Sequence, residues 1–115
     1  MKLITQEQEQ LLLANGRHNA GRETTEDFKP VIKLFCPWNS ATWLLSELDP
    51  NDPDIAFGLC DLGMGFPELG NARLSELASV RDPGGLRVER DLHFCATKTL
   101  AAYAEEAARA NRIIC

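Results

Sequence analysis

Between Lys33 and Arg73 the chain has no basic residue, while Glu47, Asp49, Asp52, Asp54, Asp61 and Glu68 all fall inside that stretch. The whole chain carries 12 Lys and Arg against 17 Asp and Glu, a net charge of -5. That balance argues against a protein that neutralises phosphates by mass charge, so direct nucleic-acid binding is not expected. Histidine is scarce, with only His18 and His93, which leaves little for a metal shell or a catalytic triad. The four cysteines, Cys36, Cys60, Cys95 and Cys115, include no Cys-x-x-Cys pair. They read as free thiols, with Cys36, Cys60 and Cys95 packed in or beside strands as small hydrophobes. No apolar run approaches the roughly 18 residues of a membrane span. The opening residues, Met1 to Gln10, are too polar for a signal-peptide core. A cytoplasmic location without membrane attachment is the expectation.

What is present fits one domain over residues 1–115: hydrophobic residues make up 44% and charged residues 25%, close to the globular average. Residues 1–29 read as an N-terminal helix and loop, 30–94 as a sheet core and 97–112 as a C-terminal helix. Thr5 followed by Gln8 has the form of a capping box, and Asn15-Gly16 is expected to stop the first helix. Arg17 to Lys29 shows no period and reads as a loop. Strands are expected over Val31–Cys36, Ala41–Leu48, Ile55–Cys60, Glu68–Leu74 and Val88–Phe94, rich in branched and aromatic residues. Their short connections favour antiparallel neighbours. Ser75 is the expected N-cap of a short helix through Arg81, and Thr97–Arg112 has Leu100, Tyr103, Ala104 and Ala107 at helical spacing. The fold class is α+β: an antiparallel sheet of about five strands with helices packed on one face.

Three constellations carry chemistry. On Val88–Phe94 a period of two puts Glu89, Asp91 and His93 on one face. Carboxylate, carboxylate and imidazole could hold a divalent cation, the only cofactor the sequence suggests, or pair a general acid with a base. The competing reading is the solvated face of a strand whose other face is core. Arg90 falls on that apolar face between Val88 and Leu92, where a guanidinium needs a partner; an ion pair with Glu47 or Glu76, or an anion-binding role, would satisfy it. The acidic stretch, in particular Glu47, Asp49, Asp52 and Asp54, is either a soluble sheet edge or a face offered to a basic protein partner. Asp61 to Pro67 is glycine-rich but lacks the Lys, Ser or Thr of a phosphate loop, and reads as a tight turn with positive φ at glycine.

Three stretches, Ala41-Thr42-Trp43-Leu44-Leu45 with the acidic turn to Asp54, Ala56 to Gly65 continuing through Pro67-Glu68-Leu69-Gly70, and Leu74-Ser75-Glu76-Leu77 through Val88 to Phe94, resemble the bacterial family catalogued as domain of unknown function 2958. The resemblance spans roughly Pro30 to Ala102, and the Leu-Ser-Glu-Leu and Glu-Arg-Asp-Leu segments carry most of it. The polar turn Asp82 to Arg87 departs from the pattern. The resemblance implies an accessory role on plasmids and other mobile elements and assigns no activity or catalytic residue. Two functions follow as expectations: an interaction protein acting through its acidic face, or a metal-dependent or acid-base enzyme built on Glu89, Asp91 and His93.

Overall fold

A computed structural model of the chain describes residues 3–115. Helix α1, Gln6–Asn19, begins at the expected capping box: the Thr5 hydroxyl accepts from the Gln8 N–H, and the Gln8 side chain accepts from the Thr5 N–H. It does not stop at Asn15-Gly16. The helix runs one turn further because both residues are buried against the sheet. Strands β1 (Ile32–Phe35), β2 (Thr42–Asp49), β3 (Asp52–Asp61) and β4 (Glu68–Arg73) then form a meander. Helix α2 (Leu74–Ser79), the short strand β5 (Glu89–Arg90) and helix α3 (Leu100–Ala110) complete the order. The sheet order is β4-β3-β2-β1-β5 and every pairing is antiparallel. The α+β class and the five-stranded antiparallel sheet are as the sequence implies.

The helices lie on both faces of the sheet, a correction to the single covered face expected. The alternation of β2 shows why: Trp43 and Leu45 pack with Leu12 of α1, Ile32 and Leu34, whereas Leu44 packs with Leu59, Leu100, Tyr103 and Ala107. A strand that is apolar on both sides has to be covered on both sides. Helix α1 covers one face and α3 the other.

Two local departures matter for the site. Between Leu45 and Glu47 the register of β2 with β3 shifts, leaving Ser46 as an extra residue in the ladder. Such a bulge frees a carbonyl and turns the strand. Strand β5 is limited to Glu89–Arg90, against the expected Val88–Phe94. Its last rung is the Asp91 N–H to the Lys33 carbonyl, after which the Asp91 carboxylate accepts the His93 N–H and turns the chain away. Leu92 and Cys95 are therefore exposed rather than packed on the sheet.

Candidate functional site

Helix α1 docks on the β2 bulge through residues spaced along one face. The buried Asn15 Nδ2 donates to the Ser46 carbonyl at 2.9 Å, supplying the partner that the bulge removed from the ladder. One turn on, Asn19 Nδ2 donates to Glu47 Oε1 and to the Glu26 carbonyl, both at 3.1 Å, while its Oδ1 accepts the Glu26 N–H at 2.8 Å. Between them Gly16 meets the backbone of β2: a Cβ there would lie 1.8 Å from the Leu48 carbonyl oxygen. Locally Asn15-Gly16 resembles a helix stop, and the trace of the docking in the sequence is the spacing Asn15, Gly16, Asn19.

This docking fixes a groove on the face that α3 partly covers. A cavity of about 510 Å³ is lined by Asn19, Glu47, Asp49, Ile55, Phe57 and Asn71, among others. It shares Thr25, Glu47 and Phe57 with a second cavity of about 260 Å³ that adds Glu26, Asp27 and Leu69. Glu47 stands opposite Phe57 in the ladder, and Phe57 opposite Asn71, so their side chains share one side of the sheet. No lysine, arginine or histidine is among the described residues lining either cavity. The floor is apolar and the walls carry carboxylates.

Of the four acidic residues expected to bind a partner, the structure brings Glu47 and Asp49 to this groove. Asp52 and Asp54 are engaged elsewhere: Arg73 lies 3.4 Å and 3.3 Å from their carboxylates. Asp54 also accepts the Ser75 hydroxyl at 2.6 Å and the Ser75 N–H at 2.9 Å. Ser75 is thus not the N-cap of α2; that position is Arg73, and the carboxylate of β3 satisfies a free N–H of the first turn in place of a local cap. The Ser75 hydroxyl, followed by Arg73, holds the Asp54 carboxyl below the usual aspartate range.

The other expected residues do not gather into one ligand cluster. Glu89 is exposed on β5, and Asp91 pairs with Lys33 at 3.5 Å. The His93 N–H, then Lys33, lowers the Asp91 carboxyl from its ordinary value. Among the described residues no three His, Cys, Asp or Glu side chains are grouped to hold a metal ion. Arg90, half-buried, donates to the Leu3 carbonyl at 2.9 Å and so ties the segment before α1 to the β5 edge. Asp91 and His93 do line a separate cavity of about 420 Å³ with Lys33, Lys98, Cys95 and Cys115. There Lys98 pairs with Glu106 at 2.7 Å. Trp43 is buried in the core on the α1 side, and Trp38 packs against that core.

Compared with known proteins, residues 3–114 match the model of the family described as Protein of unknown function (DUF2958). The chain belongs to that family. No curated protein and no solved structure matches it. Within this DUF2958 chain, no described helix is long and apolar enough to cross a membrane.

Proposed function

We propose that this DUF2958 protein acts by interaction, seating a basic, extended segment of a partner protein in the groove between α1, β2 and β3. The observation that supports the reading is the lining: carboxylates at Glu26, Asp27, Glu47 and Asp49 over Ile55, Phe57 and Leu69, with no cationic side chain among them. A lysine or arginine suits such a surface, since its methylenes lie along apolar groups while its head meets carboxylate or an aromatic face. Asn19 holds Glu47 in place beforehand, so little side-chain freedom is lost on binding. The accessory role on mobile elements rests on the family resemblance alone.

The test is calorimetric titration with a capped lysine heptapeptide, with a glutamate heptapeptide as the opposite-charge control. The lysine peptide is expected to bind, and the E47Q/D49N variant to bind it about tenfold more weakly or worse. The E7Q/E9Q variant, which removes the same charge from α1 far from the groove, is expected to stay within about twofold of wild type. Equal losses in the two variants would mean that only bulk charge attracts the peptide and would refute the groove.

A further inference from the structure

The four thiols fall into two chemically distinct pairs. Cys36 is buried in the core on the α1 side and Cys60 is half-buried beside it. Burial pushes both thiols up from their ordinary range. Cys95 and Cys115 are exposed and, although twenty positions apart in sequence, line the same cavity beside α3. The fold brings them there. Cys95 lies on the turn that follows β5, which continues through Thr97 and Lys98 to the Thr99 cap of α3. At the far end of the helix Asn111 adopts φ 60, a left-handed cap that reverses the chain. Ile113 then anchors the returning tail: its side chain is buried and its N–H donates to Asp61 Oδ2 at 3.0 Å. This segment brings Cys115 to the cavity that Cys95, Phe94 and Tyr103 also line.

We infer that Cys95 and Cys115 are a reversible oxidation site, a dithiol that closes to a disulfide and pins the segment after α3 against that helix. The balance is that of thiol–disulfide exchange with a low-molecular-weight disulfide such as oxidised glutathione. The thiolate of one cysteine attacks a sulfur of the glutathione disulfide; that S–S bond breaks, a mixed disulfide forms and one glutathione leaves as thiolate. The second cysteine, as thiolate, attacks the protein sulfur of the mixed disulfide and expels the second glutathione. Two thiol protons and two electrons leave the protein, and one glutathione disulfide becomes two glutathione thiols. Closure needs Cα atoms roughly 4.4–6.8 Å apart, and Cys115, exposed and two residues past the Ile113 anchor, is the partner that adjusts. In a reducing compartment both thiols stay free. The bridge forms where the disulfide form of the small thiol accumulates, and reductant reverses it.

The experiment exposes the full chain, dilute and folded, to oxidised glutathione, and reads intact mass and a non-reducing peptide map. The expected product has lost about 2 Da and carries a Cys95–Cys115 link, with Cys36 and Cys60 still free. Its thermal midpoint is expected to rise by several degrees, as for a closed loop of about 20 residues, and to fall back on reduction. C95S and C115S variants are expected to stop at a single glutathione adduct on the remaining exposed thiol. Two stable glutathione adducts on the wild-type chain, a disulfide between two chains, or a bridge mapped to Cys36 or Cys60 would each overturn the inference. These readouts do not involve the acidic groove, so either reading can fail without the other.

Discussion

Gly16→Ala sets two physical effects against each other and decides whether the docking of α1 is as described. In an exposed helix interior the change stabilises by about 1 kcal/mol, because alanine is the better helix former. Here the new Cβ would stand 1.8 Å from the Leu48 carbonyl oxygen and 3.0 Å from its carbon, both backbone atoms that cannot rotate away. Restoring an ordinary contact requires α1 to lift from β2 by roughly 1.5 Å or more. Overpacking of that kind costs about 1–3 kcal/mol. The same movement draws Asn15 Nδ2 away from its 2.9 Å bond to the Ser46 carbonyl, and a buried acceptor left without a partner costs about 1–3 kcal/mol more. Against the helix gain, the net loss is about 1–5 kcal/mol. Urea unfolding measures it: with a slope of about 1–3 kcal/mol per molar, the midpoint should drop by roughly 0.3 M or more. Ala14→Gly, at an exposed position of the same helix, provides the propensity scale alone and should cost about 1 kcal/mol. Asn15→Ala combined with Gly16→Ala should destabilise by less than the sum of the single changes, because both act through one displacement. A Gly16→Ala chain as stable as wild type or more so would refute the close approach, and with it the wall of the acidic groove.

Two further expectations rest on titration and reactivity. Asp54 has a carboxyl lowered by the Ser75 hydroxyl and Arg73, so its contribution to stability is complete above the unfolded aspartate value of about 3.9 and is lost as pH falls through the folded one. Asp54→Asn should therefore be less stable than wild type at pH 7 and lose less of its remaining stability on acidification below about pH 4, in urea midpoints taken across that range. Identical pH slopes in the two chains would contradict the role of Asp54. In a chromogenic disulfide assay of the reduced, folded chain, Cys95 and Cys115 should react promptly, while Cys36 and Cys60 react only as the fold opens. Prompt reaction of all four would contradict their placement.

Whether a residue's role was legible in the sequence depends on whether its partner is near or far along the chain. Thr5 and Gln8 satisfy each other three residues apart, so the start of α1 is readable where it stands. Asn15 and Gly16 look locally like a helix stop, because asparagine and glycine are what stops are made of. Their meaning is set by Ser46 and Leu48, thirty residues on, and only the tertiary contact reverses it. Ser75 repeats the lesson at α2. A serine just before an apolar turn reads as a cap, yet Asp54, from a strand across the sheet, occupies that role and takes the serine hydroxyl as well. The alternation over Val88–Phe94 is genuine, but alternation makes a strand only where a neighbour supplies rungs. β1 offers positions from Phe35 back to Ile32, but the Asp91 carboxylate accepts the His93 N–H and turns the chain after the rung at Lys33, so β5 has two paired residues. The turn keeps Asp91 and His93 together in one cavity and leaves Glu89 out of its lining. The acidic groove was half legible for the same reason: Glu47 and Asp49 follow from the charge run, whereas Asn19 and Glu26 join them only because α1 docks on a bulge that local sequence does not announce, and Asp27 because its carboxylate accepts the Ala101 N–H of α3.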